Sequence, residues 1–253
     1  MDAFVKPALS TLTPRDYQQR ILDRALLSNT IVYLPTGTGK TLIATYLLSF
    51  RIQDMLRRSS HNKDEELSEE PGSPYGVQNI KDMNNRVCKQ SAEDRAKHMK
   101  LVVFVAPTRV LLRQQLEYFK KNSFVEGLQI EEFSGSTTQE GKSMSRWEHT
   151  EWEKHLSTCH LAGMTPAILC MLLEHNILPV SRIDSIIFDE CHHILGKNDP
   201  MGKIVDALNR LKQKAAPNSS IPHILGMTAS LLSRKKGRYC MNCITIYHTI
   251  DTW

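Results

Sequence analysis

Apolar residues along this chain keep two rhythms in turn, one with helical spacing and one in short unbroken runs. From Pro14 to Leu27, the residues Tyr17, Ile21, Leu22, Ala25 and Leu26 share one face. That spacing predicts a helix with Thr13 as N-cap and Pro14 at its first position. Thr30 to Leu34 is a short β-branched run that stops at a Pro/Gly turn, the pattern of a buried strand. Thr41 to Met55 returns to helical spacing. Further on, the pattern predicts a strand from Leu101 to Ala106, a helix from Arg109 to Lys121 and a weaker strand from Leu128 to Phe133. Helices follow over 145–155 and 166–175, then a strand at 185–188, a helix over 202–214 and a strand at 223–227. Strands alternating with helices imply an α/β fold, with a mostly parallel sheet covered by helices on both faces.

One stretch breaks the rhythm. Residues 57–98 hold few apolar side chains and many charges, as in Arg57-Arg58-Ser59-Ser60 and Glu69-Glu70-Pro71-Gly72. Such a segment cannot bury enough surface to offset its ordering entropy, so it is expected to be a disordered insertion, with a helical turn near Ser91 to His98. The expected layout is an N-terminal tail (1–13), one domain (14–230) and an atypical C-terminal tail (231–253).

Composition changes this picture little. Hydrophobic and charged fractions of 41% and 23% are ordinary for a globular chain. No run of about 18 apolar residues suggests a membrane span. The first 30 residues carry Lys6, Arg15, Asp16, Arg20 and Asp23 rather than a signal-peptide core, so a cytoplasmic or nuclear location is expected. The net charge of +5 is compatible with a polyanionic partner without requiring one. Of six cysteines, only Cys240 and Cys243 have metal-like spacing, and no second pair follows them.

Two constellations carry chemistry. The first is Leu34-Pro35-Thr36-Gly37-Thr38-Gly39-Lys40-Thr41, between a strand and a helix. Backbone N–H groups of such a turn, at a helix N-terminus, can surround phosphate oxygens. Lys40 then reaches the β/γ-phosphates of ATP, and Thr41 offers its hydroxyl to Mg²⁺. The first position is Leu34 where the general pattern has Gly. The bland alternative is a Gly-rich turn that holds no ligand. The second constellation is Asp189-Glu190-Cys191-His192, directly after an apolar strand. Asp189 fits the acidic partner of Mg²⁺, and Glu190 fits the group that orients and deprotonates an attacking water. An acidic loop after a strand is common by itself. The ordered pair of constellations is far more specific than either alone.

Taken in order with Thr228-Ala229-Ser230, these motifs resemble the superfamily 2 helicases, and the DECH form resembles the Dicer and innate-immune RNA-sensor branch. The resemblance runs from about Arg15 to Ser230 without the insertion, and it implies a RecA-like P-loop domain. In that branch a Leu at the first loop position is ordinary. Arg15-Asp16-Tyr17-Gln18 resembles the adenine-recognition element, with Gln18 on the adenine edge and Arg15 near the base. Thr108, Arg109 and Thr165 resemble contacts to a nucleic-acid backbone, and Ser134-Gly135 a further one. His192, Thr228 and Ser230 resemble the residues that couple the two sites. Trp147, Trp152 and His193 admit base stacking, but the simpler reading is two packing tryptophans and a loop histidine.

The resemblance further implies RNA, double-stranded in the Dicer-like branch, as a partner held by its backbone. DNA is the alternative, through a repair translocase of the same superfamily. These helicases work with two RecA-like domains, and the second supplies arginine fingers. With the chain ending at Trp253, that second domain is expected to be absent. Two readings therefore stand side by side: the ATPase motor domain of a Dicer-like RNA-silencing helicase, poorly active alone, or an ATP- and RNA-binding regulatory module with little turnover.

Overall fold

The computed structural model describes residues 13–65, 100–135, 147–195, 199–214, 221–229 and 245–248. Among these residues seven strands form one sheet: β1 (Thr30–Tyr33), β2 (Leu101–Val105), β3 (Ile130–Phe133), β4 (Leu161–Met164), β5 (Ile183–Phe188), β6 (His223–Thr228) and β7 (Thr245–His248). Their spatial order is β3-β4-β2-β5-β6-β1-β7, and every pairing is parallel. Among the described residues six α-helices accompany them: α1 (Asp16–Leu27), α2 (Lys40–Glu65), α3 (Arg109–Asn122), α4 (His149–Thr158), α5 (Pro166–Glu174) and α6 (Pro200–Lys214).

β2 lies near the middle of the sheet and shows why its sequence is apolar at every position. Val102 and Phe104 enter a core with α1, α2 and α3, while Leu101, Val103 and Val105 enter a second core with α4, α5 and α6. Period-two alternation therefore serves two apolar faces instead of one. The alternation slips once, in β5. There Leu101 pairs with Ile183 but Val102 pairs with Ser185, so Asp184 is the extra residue of a bulge. Among the described residues no helix is long and apolar enough to cross a membrane.

Several boundaries differ from the sequence reading. α1 starts at Asp16 with Arg15 as N-cap, because the Gln18 side-chain oxygen accepts the Arg15 backbone N–H at 2.8 Å. Thr13 and Pro14 therefore precede the helix. α2 continues past Met55 as far as Glu65, into the stretch expected to lack structure. The remainder of that expected insertion, Cys240, Cys243 and Ser230 lie outside the described residues.

Two strands were not expected at all. β4 reads Leu-Ala-Gly-Met, too short and too Gly-like to signal a strand. Its Gly163 is required by packing, since a Cβ there would come within 2.5 Å of Leu116 on α3. β7 falls inside the expected C-terminal tail and extends the sheet beyond β1.

Candidate functional site

In an all-parallel sheet every strand ends on the same edge, and ligands of such folds bind there. Here that edge is stitched together by backbone hydrogen bonds. Thr165 N donates to Phe133 O, Ala106 N to Met164 O, Asp189 N to Val105 O, and Leu34 N to Thr228 O, at 2.8 to 3.3 Å. Each donor is the residue just after a strand or one step further on. The edge therefore carries six of the sequence's candidate elements: the glycine loop after β1, Thr108-Arg109 after β2, Ser134-Gly135 after β3, Thr165 after β4, Asp189-Glu190 after β5 and Thr228 at the end of β6.

The glycine loop turns through Gly37 (φ +80°) and Gly39 (φ +89°), a left-handed region that a Cβ disfavours. At Gly39 the restriction is double, because a Cβ would lie 2.2 Å from Gln18 Nε2. Thr38 Oγ1 donates to Pro35 O at 2.6 Å and tightens the turn. Lys40 opens α2, and its ammonium donates to the carbonyls of Leu34 (2.8 Å) and Pro35 (3.1 Å). The first turn of α2 contains no acidic residue. A lysine at the positive end of a helix is electrostatically unfavourable unless an anion joins it. Thr41 follows in the same turn, so a lysine and a threonine stand in succession at the helix N-terminus.

Asp189 follows β5 and is only 6% exposed. Burial pushes its carboxyl up to about 6. A hydrogen bond from the Glu190 backbone opposes that rise, the Glu190 charge adds to it, and the Lys40 ammonium pulls it back. Asp189 Oδ1 accepts the Glu190 N–H at 3.0 Å. Glu190 itself holds φ +49°, a strained value for a residue with a side chain. That conformation turns the chain sharply out of the strand. Its carboxylate lies 3.2 Å from His192 Nδ1, and the same ring nitrogen lies 2.9 Å from Thr228 Oγ1. His193 stacks on His192 with centroids 4.5 Å apart. Cys191 turns inward against Gly226, and burial pushes its thiol up to about 12, so it acts as a packing residue.

The residues that the resemblance assigns to nucleic acid differ among themselves. Thr108 caps α3, accepting the Leu111 N–H at 3.3 Å, and Arg109 is exposed beside Gly135. Thr165 caps α5 without spending its side chain on the cap. Ser134 is buried and donates to Glu132 at 2.7 Å, which leaves its hydroxyl turned inward. Glu132 also takes a two-pronged contact from Arg113, with both distances 3.2 Å. Burial alone would raise this carboxyl, yet the Arg113 and Ser134 hydrogen bonds hold it below the usual carboxylate range. Trp152 is buried against Phe133 and Trp147, and Trp147 stacks on His155 at 4.6 Å, so this pair packs a helix onto the sheet.

Two residues near the loop behave in ways the sequence did not signal. The Gln18 amide, 4% exposed, is turned into the protein: Oε1 accepts from Arg15, and Nε2 donates to Thr38 O at 2.9 Å. Tyr17 Oη donates to the same carbonyl at 2.6 Å. Sequence spacing placed Tyr17 on the apolar face of α1. The available signal was its hydroxyl, since a buried Tyr keeps a polar tip that needs a partner.

Residues 15–236 match the DEAD/DEAH box helicase family. The chain is 32% identical over 221 residues to Endoribonuclease Dicer homolog 2 of Arabidopsis thaliana, covering 87% of this chain and 12% of that protein. It is 28% identical over 232 residues to Endoribonuclease dcr-1 of Caenorhabditis elegans, covering 91% of this chain and 10% of that protein. The chain thus spans a small part of the relatives it matches. Among solved structures, the Pyrococcus furiosus Hef helicase domain aligns with a TM-score of 0.55 at 21% identity, covering 87% of this chain and 34% of that one. That likeness shows a shared fold.

Proposed function

From the premise that this chain belongs to the DEAD/DEAH box helicase family, we propose that it is the ATP-binding motor domain of a Dicer-like double-stranded-RNA helicase. One observation carries the reading. The glycine loop and Asp189-Glu190 meet on one edge of the sheet, close enough for the Lys40 charge to act on the Asp189 carboxyl.

The residues fit ATP and Mg²⁺. Lys40 stands at a helix N-terminus with no acidic residue in its turn, and Asp189 is a buried carboxylate with no salt bridge among the described residues. Lys40 would exchange its two carbonyl contacts for phosphate oxygens. Thr41 and Asp189 would hold the metal, whose chemistry when bound is to neutralise phosphate charge. Glu190, held to one side by His192, would take a proton from water. Thr108, Arg109 and Thr165, with hydroxyls and a guanidinium beside two helix N-termini, suit an RNA backbone.

Titration of the chain with a fluorescent ATP analogue in Mg²⁺, beside Lys40→Ala, tests the proposal. Binding that Lys40→Ala removes supports it. A wild-type chain that fails to bind at millimolar ATP would sink it.

A further inference from the structure

The phosphate loop is gripped from outside by two neighbouring residues near the start of α1. Thr38 O receives two donors from neighbouring residues of α1: Tyr17 Oη at 2.6 Å and Gln18 Nε2 at 2.9 Å. The two donors also meet each other, Gln18 Nε2 lying 3.3 Å from Tyr17 Oη. A carbonyl oxygen has two lone pairs, so the pair saturates it. The peptide between Thr38 and Gly39 is trans and planar, which sets its N–H opposite its C=O. Drawing the Thr38 carbonyl toward α1 therefore turns the Gly39 N–H to the other side of the loop, away from α1.

This peptide is easily rotated. Gly39 has no Cβ to oppose a change of φ, and Gly37 two residues earlier is equally free. Thr38 Oγ1 ties the loop to Pro35 O from within, and the hold on the Thr38 carbonyl itself comes from α1. The Tyr17 ring packs against the core formed by α1, α2 and α3, which fixes where its hydroxyl can lie. Gln18 is wedged over Gly39, where any Cβ would overlap its amide.

We infer that Tyr17 is a positioning residue of the phosphate loop, orienting the Gly39 N–H through the Thr38 carbonyl. Tyr17 thereby sets affinity for the phosphates of a nucleotide and not for its base. This rests on the proposed reading of the loop as a phosphate site. Tyr17→Phe removes one hydroxyl and keeps the ring, so the core of α1 is retained.

Two measurements on the full chain separate the inference from that reading. Amide exchange needs no nucleotide: Tyr17→Phe should speed exchange in the 34–42 segment and leave β2 unchanged, whereas equal exchange in that segment overturns the inference. Binding of ATP and GTP with Mg²⁺ should weaken by the same factor for both. The loss of one net hydrogen bond corresponds to roughly threefold to tenfold. Unchanged affinity, or a loss confined to ATP, also overturns it. If the wild-type chain binds neither nucleotide, the proposed function fails while the exchange result still decides whether Tyr17 holds the loop.

Discussion

His192 Nδ1 and Thr228 Oγ1 lie 2.9 Å apart although 36 positions separate them in sequence. The contact joins the turn after β5 to the end of β6, and the same nitrogen is 3.2 Å from the Glu190 carboxylate. One imidazole therefore senses both the acidic pair and the strand beside the glycine loop. Thr228→Val, which keeps shape and removes the hydroxyl, should leave ATP affinity near that of the wild type. It should abolish any stimulation of hydrolysis by RNA and cost about 1 kcal/mol of stability. Steady-state hydrolysis with and without RNA, beside thermal unfolding, checks this.

Glu190→Gln should separate binding from turnover. The amide keeps the size of the side chain but cannot accept a proton. Nucleotide affinity should persist while hydrolysis falls by roughly 10²- to 10⁴-fold, the usual contribution of a general base. Loss of binding in parallel with turnover would assign Glu190 to the fold instead.

Asp189 gives a pH signature. Its carboxyl ordinarily titrates at 3.8 and is pushed up to about 6 in the folded chain, first by burial. A raised carboxyl favours the protonated folded form. Its contribution to stability is fully present below pH 3.8, declines as pH rises through 6 and stays lost above. The difference is on the order of 3 kcal/mol. In chelator, Asp189→Asn should therefore unfold at a higher temperature than the wild type at pH 7 to 8, with the gap closing toward pH 4. The same variant should lose the Mg²⁺ dependence of ATP binding. A Tm gap that does not change with pH would contradict the account.

Arg109→Ala should weaken RNA binding without changing sequence preference, because a guanidinium outside the base-reading grooves contacts phosphate. The slope of log affinity against log salt should fall by about one. Equal slopes for the two proteins would remove Arg109 from the interface.

Gly163→Ala should destabilise the chain by about 1–3 kcal/mol through overpacking. The added Cβ would face Leu116 at 2.5 Å. Combining it with Leu116→Ala should cost less than the two single changes together, since the new methyl partly fills the space left by the leucine. Chemical denaturation of the four proteins measures this.

β2 was legible because a fully buried parallel strand is written as an unbroken apolar run, and β1, β5 and β6 carry shorter apolar runs whose end motifs follow in order. β4 was not legible, since its Gly163 serves the approach of Leu116 and weakens the strand signal in doing so. Gln18 was legible as a motif residue but not as a loop anchor, because the carbonyl it meets lies 20 positions away. The bulge at Asp184 and the left-handed Glu190 are set by neighbouring strands and turns, which no local window contains.

At the far side of the sheet, β3 carries Glu131 and Glu132 side by side, and each is bound on a different face. Glu131 meets His155 and Thr158 from α4, while Glu132 meets Arg113 from α3. A strand arriving from another molecule would have to settle against two anchored carboxylates in succession. The last strand of the sheet is thus guarded against edge-to-edge association, the route by which open parallel sheets aggregate.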